Sequence, residues 1–493
     1  MKKHAVGYII TIFFYVDLTG CSSLTPPLPP EKIPEHYVAP LSDNATDMPV
    51  AEWWENFSSD ELTDDIREAE KGNLDLAVYD ARIKQARAST GAAAADLFPS
   101  IELDASGARY GQKPNADHSY VGTYNSLKSL LSMSYNLDLW GEERDKWRNA
   151  KYSALAAIYG REVKWLSVSS SVADTYFSIL SYRERIAVAR RNLEAANRVL
   201  KVTRLRVSRG AESRLGLAQQ TAIVKSEEVI IPSLEEKERE ATYKLAILLG
   251  RPPEKIEIAA QSVEGITMPT VSPGLPSDLL RHRPDIAVAE ANLKAAHANL
   301  SAARAAFLPS ISLTASGGYS SMALSRLLDP DNLVWSLAAS LAQTIFDGGK
   351  LTSQRDYYQG VETELIATYR NTVFNALSDV ETALGSIVSL SEQVKIETEH
   401  VDNAAEAFRI AELQYRGGVL PIQTVIDTQQ TLFNADDELV EIKLSRIEAA
   451  IDLYVVLGGG WSVKASEELP TRNVFVPVPL PVDLDKKTSS QER

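Results

Sequence analysis

The sequence predicts an internally duplicated, mainly helical α+β chain in which pairs of alternating strands give way to long helical hairpins with coiled-coil packing. Three observations predict it. The segment ARIKQARASTGAAAADLFPSIELDASG at 81–107 returns as ANLKAAHANLSAARAAFLPSISLTASG at 291–317. In each copy a stretch of alternating apolar residues gives way to a long run without proline, Gly141 to Gly210 and Gly349 to Gly418. Beyond the N-terminus no stretch reaches 18 continuous apolar residues, so a membrane crossing has to be a closed barrel.

The chain begins with Lys2 and Lys3 and then runs apolar over residues 5–16, AVGYIITIFFYV. That is too short for a spanning helix, which needs about 20 residues, and suits a signal-peptide core. Leu18-Thr19-Gly20-Cys21 follows, and Cys21 is the only cysteine in 493 residues. A lone thiol excludes a disulfide framework within the chain. The four residues resemble the bacterial lipobox, with Asp17 a charge where the apolar core usually continues. The resemblance implies cleavage before Cys21, a diacylglycerol on its sulfur and an acyl group on the new amino terminus. Each buried CH₂ then contributes about 0.8 kcal/mol of anchoring. A signal peptide with an incidental cysteine, or a buried thiol, is the alternative. Within the resemblance Ser22 favours the outer membrane over inner-membrane retention, and the prolines in 26–34 form an extended tether.

The repeat organises the remainder. Phe98-Pro99-Ser100-Ile101 answers Leu308-Pro309-Ser310-Ile311, an offset of 210. Gly141, Gly210 and Gly250 answer Gly349, Gly418 and Gly458 at an offset of 208, so a two-residue slip lies between Gly107 and Gly141. The chain therefore divides into a signal peptide 1–20, an acylated tether 21–50, a first repeat 51–260, a second repeat 261–465 and a tail 466–493. Trp53, Trp54 and Phe57 before the first repeat, and Pro470, Pro477, Pro479 and Pro481 after the second, are expected to belt the helices.

Four strands are expected. Ile101, Leu103 and Ala105 alternate, as do Leu131, Met133, Tyr135, Leu137 and Leu139. The second half repeats this with Ile311, Leu313 and Ala315, then Trp335, Leu337, Ala339 and Leu341. Their length suits outer-membrane strands of about 9–11 residues, and an ordinary soluble meander is the alternative. Four strands cannot close a barrel, since the smallest have about 8, so several chains must share one.

Long helices follow each strand pair. Gly141 to Gly210 at 1.5 Å per residue reaches about 100 Å. Ile179, Ile186, Leu193, Leu200 and Val207 repeat every seven residues, and so do Ile387, Val394, Val401, Phe408 and Tyr415, which predicts helix-on-helix coiled-coil packing. Arg209-Gly210 and Arg416-Gly417-Gly418 then break the runs as tight turns between antiparallel helices. The returning helices stop at LLGRPP (248–253) and VLGGGW (456–461).

Together these motifs resemble the outer-membrane efflux factor family, TolC-like, in the lipoprotein branch that includes NodT and OprM. The residues carrying the resemblance are the duplicated F/L-P-S-I-x-L-x-A-S-G, Leu139-Trp140-Gly141, Phe346-Asp347-Gly348-Gly349, LLRHRPDI (279–286), Tyr415-Arg416-Gly417-Gly418-Val419, Asp427 and LGGGW. It covers about residues 45 to 465. It implies a homotrimer with a 12-stranded outer-membrane barrel above a periplasmic α-helical tunnel. It implies an exit duct without a catalytic step or cofactor, beyond the lipid on Cys21. The implied partners are a periplasmic adaptor (membrane fusion protein) and an inner-membrane transporter, of the resistance-nodulation-division type for small-molecule export. A type I protein-secretion duct and a non-conducting coiled-coil scaffold are the other readings.

The same resemblance places a resting closure at the periplasmic tips. It carries an acidic ring onto Asp427, with Gln423 and Gln430 as neighbours. Some relatives have a second aspartate at the position of Thr424 and a basic residue at the position of Gln430; neither is present here, and a single acidic ring suffices for the closure. The alternative is that Asp427 is a solvated carboxylate on an ordinary helix face. Arg209, Gly210, Arg416, Gly417 and Gly418 become the adaptor contact. They also serve the turns themselves, through the helix dipole and left-handed backbone.

Charge and motifs exclude other classes. The net charge of −15 argues against nucleic acid. The six histidines show no metal-ligand spacing, and HExxH, P-loop and GxSxG motifs are absent, which argues against an enzyme. His297 stands opposite Arg87 in the repeat and is expected on the surface.

Overall fold

The computed structural model describes residues 33–39, 52–111, 123–253, 256–263, 266–268 and 273–461. Cys21, the expected signal peptide and the expected tail lie outside them. The first half begins with α1 (Asp60–Gly72) and α2 (Leu74–Ala95). Asn73 separates them: its carbonyl amide oxygen caps α2 at Leu76 N, 3.1 Å away, and its Nδ2 donates to Leu248 O. Strands β1 (Ser100–Tyr110) and β2 (Tyr124–Leu137) follow, then α3 (Glu142–Ser208) and α4 (Arg214–Leu248). The second half repeats the order with α5 (Pro284–Ala305), β3 (Ser310–Ser321), β4 (Leu333–Ala342), α6 (Lys350–Arg416) and α7 (Ile422–Val456).

The duplication extends to element length. Helices α2 and α5 both have 22 residues, α3 and α6 both have 67, and α4 and α7 both have 35. Their start points differ by 210, 208 and 208, so the slip lies in the strand pairs, as the glycine offsets require. The second strand differs from its expectation. It starts earlier, at Tyr124, and ends at Leu137, so Leu139 and Trp140 fall in the following bend. Trp140 there donates from Nε1 to Pro309 O at 2.7 Å, tying the end of β2 to the start of β3.

Among the described residues the strands form one antiparallel sheet in the order β1-β2-β3-β4, with β1 and β4 as unpaired edges. Register puts residues of one kind on one face. Glu102, Ser132, Ser316 and Ser336 lie side by side across the sheet, and so do Leu103, Leu131, Gly317 and Trp335 on the other face. One face is thus hydroxyl-rich, with Ser316 and Ser336 hydrogen-bonded at 2.8 Å, and the other is apolar and exposed.

Helix α3 is the centre of the chain, packed on α1, α2, α4, α5 and α7, whereas α6 lies at the edge against α5 and α7. The aromatic group before α1 belts them as expected. Trp53 and Phe57 are buried against Val172, Tyr176, Phe177 and Ile451, and Trp53 stacks on Tyr454 with ring centroids 5.5 Å apart. The segment 33–39 docks on α6, where both oxygens of Glu381 accept from the backbone N–H groups of Val38 and Ala39, at 2.7 and 2.8 Å. His297 departs from its surface expectation: its Nδ1 contacts Glu362 Oε1 at 2.7 Å in the partly buried α5–α6 seam.

Candidate functional site: the helical tips and the channel wall

The two hairpins turn by the same hydrogen bonds. Ala211 N donates to Arg206 O and Gly210 N to Val207 O. Val419 N donates to Gln414 O and Gly418 N to Tyr415 O, the same pattern 208 residues on. Both are paired C-terminal caps that need a left-handed residue. Gly210 and Gly418 provide it, with φ of +74° and +78°. Gly417 does not share this role: its φ of −75° is ordinary right-handed backbone. Arg209 closes α3 and is exposed, and Arg416 ends α6 in an ion pair with Glu412.

Beyond the second turn, Gln423, Asp427 and Gln430 all stand exposed on one face of α7, as their spacing of four and three requires. Gln423 Nε2 donates to Asp427 Oδ1 at 2.7 Å. Thr424 is half-buried, and its carbonyl accepts from Thr428 Oγ1. The buried glutamine is the neighbour, Gln429, which faces the opposite way into the helix seam.

A polar clasp joins the two halves of the chain. The Arg206 guanidinium bonds the carbonyl of Tyr415 and lies over its ring, 4.5 Å from the centroid. Tyr415 in turn donates its hydroxyl toward Thr203 Oγ1 and Glu212 Oε2, both at 3.2 Å. Desolvation pushes the Tyr415 hydroxyl above the usual tyrosine range, so it stays a donor. Deeper in, fully buried Gln220 donates from Nε2 to Gln429 Oε1 at 3.1 Å. Higher still, Arg185 makes a bidentate pair with Asp437 at 2.7 and 2.8 Å and also meets Glu441 at 2.5 Å. The sequence marks Tyr415 as a heptad position and as the start of the Tyr415–Val419 turn motif, and gives no sign of the others. The partners sit 203 to 256 positions apart, and only the packed halves bring them together.

The wall also buries carboxylates. Burial, with Asp452 and Glu448 close by, pushes Asp174 up to about 7 against the opposing pull of Lys244. Burial raises Asp452 and Glu448 as well.

A family model described as outer membrane efflux protein matches residues 66–251 and 275–459, one segment per repeat. The chain belongs to the outer membrane efflux protein family. Among its relatives, the pyoverdine export outer membrane protein OpmQ of Pseudomonas aeruginosa is 36% identical, the alignment covering 86% of this chain and 90% of that one. Its Pseudomonas putida counterpart is 34% identical, over 93% and 97%. Among solved structures, the CmeC outer membrane channel of Campylobacter jejuni superposes with a TM-score of 0.82 at 26% identity, over 88% of this chain and 95% of that one. The open-state MtrE outer membrane channel of Neisseria gonorrhoeae gives 0.80 at 27%, over 87% and 96%. The efflux protein is thus an outer-membrane channel subunit with a TolC-like fold. Its two unpaired sheet edges are those of a segment of a shared barrel, and three copies of the four-stranded sheet supply the twelve strands of the trimer.

Proposed function

We propose that this chain forms the outer-membrane exit duct of a tripartite efflux pump that carries small molecules. It receives them from an inner-membrane transporter of the resistance-nodulation-division type through a periplasmic adaptor. One observation carries this reading: an amphipathic sheet with two open edges runs through glycine-capped turns into helices of 67 residues, Glu142–Ser208 and Lys350–Arg416. A pipe wall needs that continuity, and a spacer has no use for the sheet. The relatives named for pyoverdine export support small-molecule cargo. The deciding measurement is single-channel current of the purified trimer in a planar bilayer. Steady ionic conductance is expected, and a silent bilayer would favour the coiled-coil scaffold.

Asp427 forms the resting closure of this duct, one carboxylate from each subunit, with Gln423 holding its side chain and Gln430 beside it. Three converging carboxylates repel one another and bind cations, so closure depends on the helices that press them together. Asp427→Ala should raise the resting current, and an unaltered current removes Asp427 from the closure. The turns at Arg209, Gly210, Arg416, Gly417 and Gly418 present the adaptor contact. Cys21 carries the lipid, so Cys21→Ala should abolish palmitate labelling, whereas label persisting elsewhere would refute the anchor.

A further inference from the structure

Charge in the sheet is confined to one face. The apolar face, which holds Leu103, Leu131 and Trp335, has no charged side chain in β2, β3 or β4 and none in β1 before Arg109, near the end away from the helices. The hydroxyl-rich face holds three: Glu102, Asp104 and Lys128. A membrane barrel turns its apolar face to lipid and its polar face to the lumen, so these three charges line the bore.

Their surroundings differ. Asp104 stands opposite Leu130 and Lys128 opposite Ser106, which leaves Asp104 and Lys128 one diagonal step apart, within the span of a lysine. Their charges cancel. Glu102 stands opposite Ser132, with Leu130 and Ser134 on its diagonals, so no cation lies within reach on β2. It opens on a cavity of about 310 Å³ walled by Ser134, Thr314, Ser316 and Ser336. Its strand is an edge, and in the trimer that edge meets β4 of the next copy. The lumen side of β4 is Val334, Ser336, Ala338, Ser340 and Ala342, so the neighbour brings no cation in any register. Each subunit therefore leaves one uncompensated carboxylate in the barrel.

Distance decides whether that charge matters to a passing ion. Twelve strands about 4.8 Å apart and tilted by about 40° enclose a radius of about 12 Å. A glutamate reaching inward by about 4 Å stands about 8 Å from the axis, comparable with the Debye length of about 10 Å in 0.1 M salt and well beyond the 3 Å of 1 M. Three such charges reach a passing ion in dilute salt and are screened from it in concentrated salt.

We propose that Glu102, one from each subunit, forms a charge ring inside the barrel and gives the duct a preference for cationic over anionic solutes, separate from the closure at Asp427. The proposal rests on the reading of this chain as a conducting duct. The test is the reversal potential of the purified trimer in a planar bilayer under potassium chloride gradients, in the Asp427→Ala background, which removes the other carboxylate ring. Glu102→Gln should lower the potassium-over-chloride permeability ratio on the order of fivefold near 0.1 M salt and leave it unchanged near 1 M. Lys128→Gln should shift the ratio the opposite way. Glu102→Cys provides a second route: a sulfonate-bearing methanethiosulfonate should restore the starting ratio and a trimethylammonium-bearing one should push it further toward anions, with protein lacking the added cysteine as the control for Cys21.

An unaltered ratio in Glu102→Gln near 0.1 M overturns the ring, as does a shift of equal size at 1 M, which would report a changed pore shape. Equal ratios after the two reagents overturn it as well. A bilayer silent with every variant refutes the duct and the ring together, whereas current with an unaltered ratio refutes the ring alone.

Discussion

Helices α3 and α6 are copies of one another, equal in length and end signals, yet they live in different surroundings. In the isolated chain α3 buries 23 residues and α6 buries 10. The first is walled in by its own chain. The second leaves Phe374, Val388 and Ile396 exposed along its length. A duplicated sequence thus yields one helix that folds with its own chain and one that is finished by assembly. Stability and oligomerisation are written on equivalent positions 208 residues apart.

That contrast can be broken most severely at Leu180 and its image Val388. Leu180→Ala removes side-chain volume from a fully buried site and is expected to cost about 2–5 kcal/mol, read by denaturant unfolding. Val388→Asp, at a site 46% exposed in the single chain, should leave each subunit folded by circular dichroism and abolish the trimer by native mass spectrometry. A Val388→Asp variant that stays trimeric would contradict the burial of Val388 between copies.

A smaller difference separates equivalent polar positions. Arg185→Ala leaves Asp437 and Glu441 without their cation and should cost about 1–3 kcal/mol, whereas Gln393→Ala at the image position should stay within about 0.5 kcal/mol. The two turns sharpen the comparison further. Gly210→Ala and Gly418→Ala should each cost about 1 kcal/mol, because a Cβ strains left-handed backbone, and Gly417→Ala should be close to neutral.

The smallest effect depends on pH. Folded Asp174 keeps its proton up to about pH 7, while the unfolded chain releases it near the ordinary 3.8. The folded state therefore binds more protons between these values, and the stability this group contributes falls as pH rises through them. Asp174→Asn should gain on the order of 1 kcal/mol over wild type at pH 8 and nothing near pH 4, measured by thermal unfolding at both. Equal gains at both values would assign the effect to packing.

Much of this fold was legible because local patterns repeat. Period-2 alternation located β1 to β4, glycine spacing located both hairpin turns, and absence of proline bounded α3 and α6 to within two residues. Gln423, Asp427 and Gln430 fell on one exposed face because helical spacing alone requires it. The clasp was not legible. Arg206, Glu212 and Gln220 carry no period, and their meaning arises only when Tyr415 and Gln429 arrive from the other half. His297 reads as a surface residue for the same reason, since its partner Glu362 lies on another helix. Alternation continues through Leu139 although pairing stops at Leu137, so the pattern alone overruns the end of the second strand.

The row of serines across the sheet has its own consequence for transit. Hydroxyls both give and take hydrogen bonds, so they can replace parts of a solute's hydration one bond at a time. Being neutral, they add no charge of their own, and the carboxylate of that row is confined to its β1 end, at Glu102. The hydroxyl part of such a lining eases passage without a charge preference.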